Sequence, residues 1–120
     1  MTAYEYMDLA HSDFSSAAAM VSVFIAVLSG YLVVAYTIGS NLTRVQVAVL
    51  NIAYSIWEIY ILLTGLISLT RARHHIILAA ELDQQLSSPV AYVVHDYVSI
   101  GLMLLLTSLW FMWSVRHPKT

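Results

Sequence analysis

The sequence predicts an all-α integral membrane protein with three transmembrane helices and an amphipathic segment between the second and the third. Hydrophobic residues make up 60% of the 120 residues and charged residues only 10%, a balance outside the usual range for soluble domains. Three apolar stretches are also long enough to cross a bilayer, whose hydrocarbon core is about 30 Å thick. Because three spans use most of the chain, we expect residues 1–120 to form a single membrane domain.

The first span is predicted over about residues 14–38. It follows an acidic and aromatic segment, residues 1–13, which we expect to lie at the membrane interface, with Asp13 as the cap of the span. Small side chains recur at every fourth position of the span, and such a ridge lets helix backbones approach closely in lipid. The ridge consists of Ala18, Ser22, Ala26 and Gly30. It predicts a packing face, either within the chain or between protomers.

The second span is predicted over about residues 45–70. At about 1.5 Å per residue this stretch is roughly 39 Å long, enough to cross the hydrocarbon core with some tilt. We expect Gly39 to end the first span in the left-handed conformation, and Thr43 with Gln46 to form a capping box that opens the second. The connection is therefore short, and the first two spans form an antiparallel hairpin.

Apolar residues continue at helical spacing beyond the second span, among them Leu78, Leu82 and Leu86. They predict the amphipathic segment over about residues 74–87. In this segment the second helix either projects beyond the bilayer or breaks into a separate helix on the membrane surface. A new helix start, with a serine cap and proline in the first turn, opens the third span over about residues 90–115. The starting residues are Ser87, Ser88 and Pro89, and the aromatic belt at the far end is Trp110, Phe111 and Trp113.

The basic residues favour one orientation of this multi-pass membrane protein. Arg44, Arg116 and Lys119 lie on the side of the C-terminus, whereas Arg71 and Arg73 lie on the side of the N-terminus. Cytoplasmic segments carry the excess of Lys and Arg. We therefore expect the C-terminus to be cytoplasmic and the N-terminus to lie outside.

A polar stripe runs along the second span. Asn51, Tyr54, Ser55 and Glu58 are separated by three or four residues or lie side by side, so they share one helix face. A charged side chain at mid-bilayer depth costs at least about 2.5 to 3.5 kcal/mol on insertion scales. Glu58 must therefore be protonated, paired, or directed at protein or water. No Lys or Arg lies inside any predicted span, so no ordinary ion pair is available to it.

Two interpretations of Glu58 follow. In the first, Glu58 binds and releases a proton or a cation along a path that the other polar residues of the stripe align. In the second, a protonated Glu58 forms a structural hydrogen bond between helices, worth about 0.6 to 2 kcal/mol. Both interpretations place the stripe against protein or water rather than against lipid.

Other kinds of site find less support in the sequence. His74, His75, His95 and Asp96 fall on the N-terminal side and are the candidates for a metal site, but their spacing matches no metal-binding motif. The alternative is a pH-sensitive surface, and for His95 with Asp96 the preferred interpretation is a polar pair at the interface. We expect no cofactor and no enzymatic activity. The net charge of −2, with no basic face, argues against nucleic acid as a partner.

Two classes of function remain. The protein is either a small oligomeric conduit for cations or protons, lined by the second helix around Glu58, or a non-conducting accessory subunit of a larger membrane complex. Three helices enclose little volume, so we expect copies of the same chain or other membrane subunits to complete the assembly. The expected partners are the lipid bilayer and these subunits.

Overall fold

The computed structural model of the chain describes residues 1–83 and 91–118. This part of the chain is helical, with α1 over Ala3–Ile38, a short 3-10 turn over Gly39–Asn41, α2 over Arg44–Leu82 and α3 over Ala91–Arg116. Within the described residues, three helices have the length and hydropathy of membrane spans. The predicted all-α class is confirmed, and three helices have the length and composition that the three predicted spans require, as in a multi-pass membrane protein.

Helix α1 begins eleven residues before the predicted start of the first span. Its cap is Thr2, which forms a capping box with Glu5. The Glu5 amide donates to Thr2 Oγ1 at 3.3 Å, and the Thr2 amide donates to Glu5 Oε2 at 2.6 Å. The prediction that Asp13 caps the span was wrong, because Asp13 lies inside the helix. The predicted interfacial segment is instead the first three turns of α1, in which neither Gly nor Pro interrupts the helix.

The turn between α1 and α2 confirms one predicted cap and corrects the other. The Gln46 amide donates to Thr43 Oγ1 at 3.2 Å and the Thr43 amide donates to Gln46 Oε1 at 2.9 Å, as the capping box requires. Gly39 is not left-handed: its φ of −55° and ψ of −39° are those of a right-handed helix. The chain therefore leaves α1 through a tightened 3-10 turn.

Arg116, at the end of α3, binds this turn. Its Nη1 donates to the carbonyl oxygen of Gly39 at 3.0 Å and to that of Leu42 at 2.6 Å. A helix end leaves its last carbonyl groups unpaired, and a guanidinium group can satisfy them. Arg116 thereby fixes the end of α3 to the hairpin formed by α1 and α2.

Helix α2 continues without interruption from Arg44 to Leu82. Residues 74–82 of the predicted amphipathic segment are thus the last turns of α2, and the described residues contain no separate surface helix there. The remainder of that segment, and the predicted start of the third span at Ser87, Ser88 and Pro89, lie outside the described residues. The bundle is elongated, with extents of 62 × 21 × 17 Å, so α1 and α2 are much longer than the hydrocarbon core of a bilayer.

The core is a seam in which α1 and α2 pack antiparallel and α3 covers one end. On α1 the buried residues are Ala10, Ala17, Phe24, Tyr31 and Ala35. On α2 they are Tyr54, Glu58, Ile61, Gly65, Leu69, Ala72, Ile76 and Ala79, separated mostly by alternating steps of three and four. This spacing is the one that keeps a seam of two helices in contact over many turns. Glu58 is the charged member of an otherwise mostly apolar seam.

Candidate functional site

The candidate site is built around Glu58, whose side chain is 0% exposed. One turn before it on α2, Tyr54 stacks on Tyr31 of α1 with ring centroids 3.9 Å apart. The same tyrosine bonds to Ser108 of α3, with 2.9 Å between the two hydroxyl oxygens. Helices α1, α2 and α3 therefore meet at the level of Tyr54.

They meet again two turns beyond Glu58, at Gly65. A β-carbon added at Gly65 would overlap the hydroxyl of Tyr97 on α3 and would lie 3.6 Å from Cβ of Met20 on α1. Glu58 lies between these two levels of contact. Its carboxyl group is consequently enclosed by the three helices of its own chain rather than exposed on the outer face of α2.

Neither carboxyl oxygen of Glu58 has a hydrogen-bond partner among the described residues. An unsatisfied polar group in the hydrocarbon region costs several kcal/mol. The hydrogen bond that a purely structural role for Glu58 would require is thus not formed within the described part of the chain. Within that part of the chain, Glu58 is enclosed and has no hydrogen-bond partner.

The hydroxyl and amide groups next to Glu58 are, in contrast, bonded to one another. Tyr31 donates to Oδ1 of Asn51 at 2.7 Å. Ser108 donates its single hydroxyl proton to the carbonyl oxygen of Leu105 at 2.7 Å, so Tyr54 is the donor in the bond to Ser108. We call Tyr31, Asn51, Tyr54 and Ser108 the tyrosine cluster. It is a polar cluster in the protein interior, on the side of Glu58 that leads to the α1–α2 turn.

Ser55 lies at the edge of this arrangement and is half-buried. It lines a crevice of about 360 Å³ where α2 borders α3. The other lining residues are Asn51, Ile52, Ile56, Ile59 and Leu109. All four residues predicted for an ion or proton path therefore lie on one side of α2, with Tyr54 and Glu58 inside the bundle and Asn51 and Ser55 at its margin.

The seam is different on the other side of Glu58. Toward the C-terminal end of α2, the buried positions of this helix are apolar for several turns. They are Ile61, Gly65, Leu69 and Ala72. The hydroxyl of Tyr97 is buried against Gly65 and, among the described residues, has no hydrogen-bond partner. Leu62 packs against Gly101 between the levels of Glu58 and Tyr97.

The histidines are partly brought together with acids, but not as a metal site. Nδ1 of His75 lies 2.9 Å from Oδ2 of Asp13, with 23% and 19% of the two side chains exposed. The ring of Tyr6 stacks on His75 with centroids 6.4 Å apart. His75 thus connects the far end of α2 to the first turns of α1, and sequence reasoning missed this pair because it assigned Asp13 to a cap.

No group of three or more His, Cys, Asp or Glu side chains that could hold a metal ion occurs among the described residues. His74 lies beside His75, with ring centroids 6.1 Å apart. Asp96 is exposed on α3, and the side chain of His95 lies outside the described part of the chain. The metal candidates therefore form no described cluster.

The small-residue ridge of α1 faces away from the core. Ala18, Ser22, Ala26 and Gly30 are all exposed, and a β-carbon added at Gly30 would have nothing within 4 Å. Ser22 donates its hydroxyl proton to the carbonyl oxygen of Ala18, so the ridge presents few free polar groups. Packing within the described chain does not use this face.

Comparisons with protein families, with curated protein sequences and with solved structures found no match to this chain. Its function is therefore argued from the geometry around Glu58 and from the exposed faces of the bundle.

Proposed function

We propose that this protein conducts protons across the membrane, with Glu58 as the group that binds and releases the proton. The observation that carries the proposal is the state of its carboxyl group, which is completely buried near the middle of the predicted second span and has no partner among the described residues. An ionisable residue inside a membrane protein is a functional candidate because its burial is costly and such residues commonly belong to ion or proton pathways. The proton path in this proposal runs through the interior of one protomer.

The surroundings of Glu58 favour a proton over a metal cation. Cations such as Ca²⁺ are held by about six to eight oxygen ligands, whereas a proton needs one carboxyl group. The facing stretches of α1, residues 20–31, and of α3, residues 97–108, contain no Asp, Glu, His, Lys or Arg. The titratable groups on those stretches are the phenols of Tyr31 and Tyr97, and on α2 that of Tyr54. Among the described residues Glu58 is thus the one carboxylate at this level, and the hydroxyl and amide oxygens near it are already paired with one another.

Proton flux into liposomes tests the proposal. The purified protein is reconstituted with a pH-sensitive dye inside, and a potassium diffusion potential drives proton uptake. The Glu58→Gln variant keeps the shape of the side chain but cannot ionise, so we expect flux to fall at least tenfold. Glu81→Gln is the matched control, because Glu81 is an exposed acid on the same helix beyond the predicted span. Its flux should equal that of the unmodified protein.

Equal flux in the Glu58→Gln variant and the unmodified protein would refute the proposal, as would absence of flux above that of empty liposomes. Glu58→Asp guards against a folding defect, because it keeps the acid and moves it by one methylene group. We expect Glu58→Asp to retain more flux than Glu58→Gln. Size-exclusion chromatography of all variants checks that the particle is unchanged.

The second candidate function is that of a non-conducting accessory subunit. The exposed small-residue ridge of α1 favours it, because such a face lets a second helix approach closely in lipid. The same face would serve self-assembly of a conduit, and we propose that it packs against a second copy of this chain. Ala26→Leu should weaken self-association at least tenfold, about 1.4 kcal/mol, in light scattering of diluted micelles.

Ala53→Leu is the control for this experiment, because Ala53 is an exposed alanine on α2 and not on the ridge. It should leave self-association unchanged. A particle that is a single copy at every concentration would refute self-assembly. Capture of a different membrane subunit through the ridge, with no proton flux, would support the accessory function instead.

We also propose that the α1–α2 turn and the C-terminus are cytoplasmic. The support is the excess of basic residues on that side, three against two, in the sequence. A reporter fused to the C-terminus that is active only in the cytoplasm tests the orientation. If the reporter is inactive at the C-terminus and active when it is fused to the N-terminus, the orientation is the opposite one.

A further inference from the structure

We infer that, in the conformation described here, Glu58 exchanges its proton with only one side of the membrane, the side of the α1–α2 turn, on which the tyrosine cluster lies. The inference rests on the proposed function and adds a direction to it. Its basis is a difference between the two halves of the seam. Polar groups follow Glu58 at successive turns toward the α1–α2 turn, whereas the buried α2 positions in the other direction are apolar.

On the turn side the steps are short. Tyr54 precedes Glu58 by four residues and Asn51 precedes Tyr54 by three, which correspond to rises of about 6 Å and 4.5 Å along α2. At each step a hydroxyl group from another helix joins α2, since Ser108 bonds to Tyr54 and Tyr31 bonds to Asn51. Neither pair is bonded to Glu58 among the described residues, so a proton passes between them and the carboxyl group only through intervening water molecules, which the hydroxyl groups can bind.

The turn side also contains open space. Asn51 and Ser55 are half-buried, and both line the crevice of about 360 Å³ at the border with α3. Ser55 lies three residues before Glu58 on α2. Water that reaches this crevice from the turn side would therefore come within about one helical turn of Glu58 along the axis.

On the opposite side the nearest polar group of the seam is the hydroxyl of Tyr97, at the level of Gly65. Gly65 is seven residues from Glu58, or about 10 Å along the helix. A hydrogen bond spans only about 3 Å, so the proton needs water molecules on either side, but the interval without a polar group is about 10 Å here against about 6 Å on the turn side. Ile61 is buried and Leu62 packs against α3 in the intervening turn. A cavity of about 250 Å³ adjoins this turn, but apart from Tyr97 its lining is apolar, and an apolar cavity stays dry. The turn therefore acts as a seal against water, and transport across the whole membrane requires the seal to open.

Single cysteines test the sidedness, and the chain contains no native cysteine. Ser55→Cys is the test variant and Thr64→Cys is the matched control. Both residues are half-buried on α2. Thr64 lies seven residues from Arg71 and is thus nearer to the membrane surface on its own side than Ser55, which lies farther from Arg44. If the two halves of the seam were equally open to water, Thr64→Cys would react with a thiol reagent at least as fast as Ser55→Cys.

A charged, membrane-impermeant thiol reagent is added to one side of sealed vesicles. Ser40→Cys in the turn and Ser12→Cys near the start of α1 are both exposed and report which side has been reached. We expect Ser55→Cys to react from the same side as Ser40→Cys, at least tenfold faster than Thr64→Cys from either side. Modified Ser55→Cys should also lose proton flux.

The inference would be overturned if Ser55→Cys reacts only from the side of Ser12→Cys, reacts from neither side, or reacts no faster than Thr64→Cys. A folding defect in Ser55→Cys is circumvented by infrared detection of the protonated carboxyl band that is absent in Glu58→Gln. That band should respond to the pH on the turn side alone, and an equal response to both sides overturns the inference. Labelling from the turn side without any flux would refute the proposed function and leave the access route intact. Flux that depends on Glu58, together with a Ser55→Cys variant that does not react, would support the proposed function and overturn the access route.

Discussion

Replacing Gly65 by alanine should destabilise the bundle, although alanine favours the helix. The new Cβ would overlap the hydroxyl of Tyr97 and would lie 2.8 Å from its Cζ, closer than carbon atoms approach without strain. An aromatic ring is rigid, so the contact can be relieved only if the Tyr97 side chain moves as a whole or if α2 and α3 separate. Extra atoms forced into a packed interior cost about 1 to 3 kcal/mol.

The magnitude follows from a comparison with Gly30→Ala. A glycine-to-alanine change inside a helix stabilises it by about 0.8 to 1.0 kcal/mol, and both glycines lie inside helices. Within one chain a Cβ at Gly30 would meet nothing within 4 Å, so Gly30→Ala should show this gain alone in micelles dilute enough to hold single copies. Gly65→Ala should show the gain minus the steric cost. The two variants should therefore differ by about 1 to 3 kcal/mol in the free energy of unfolding.

Unfolding in mixed micelles with increasing SDS, followed by circular dichroism, measures this difference. Gly101→Ala should fall between the other two, because the clashing group there is the end of the flexible Leu62 side chain. The double variant Gly65→Ala/Tyr97→Phe should recover only part of the loss, since phenylalanine keeps the Cζ atom. If Gly65→Ala is as stable as Gly30→Ala, then α2 and α3 do not approach each other at Gly65 and the reasoning fails.

Two contacts outside the middle of the bundle give further predictions. Arg116→Ala should lower the free energy of unfolding by about 1.5 to 3 kcal/mol, because two backbone carbonyl groups at the α1–α2 turn lose a charged donor. The control is Arg73→Ala at an exposed position, which should change the free energy of unfolding by less than about 0.5 kcal/mol. Equal effects in the same unfolding assay would contradict the role assigned to Arg116. In a double-mutant cycle of Asp13→Asn and His75→Ala, the coupling should be about 0.2 to 1 kcal/mol at low salt and should shrink at high salt. A coupling of zero at low salt would mean that the pair contributes nothing.

The helices could be predicted from the sequence because they depend on local properties. An apolar stretch of sufficient length predicts a span in any context, and the capping box of Thr43 and Gln46 involves residues three apart. The start of α1 was missed because the composition of residues 1–13 indicates where a segment lies relative to the membrane, not whether it is helical. The cap at Thr2 and the absence of helix breakers were the available signals.

The candidate site could be predicted only as one face of α2. Spacing alone placed Tyr54 and Glu58 on one side of the helix, and the structure directs that side to the interior. The stacking of Tyr31 on Tyr54 had a signal in the sequence, because the two residues lie at nearly equal distances before and after a short antiparallel turn. The bond of Tyr54 to Ser108 had none, since no short connection fixes how α3 is aligned with α2.

The enclosure of Glu58 bears on its two proposed roles, a group that binds and releases a proton and a group that holds helices or subunits together. As an attachment point for another subunit, its carboxyl group would have to be reachable by a side chain, and reaching it requires the three helices to part because it is 0% exposed. As a structural bond within the chain it would need a partner, and none occurs among the described residues. A proton needs neither parted helices nor a permanent partner, because hydroxyl groups and single water molecules can deliver it to a carboxyl group that larger ligands cannot reach. Enclosure without a partner is therefore a geometry that serves proton exchange better than it serves adhesion.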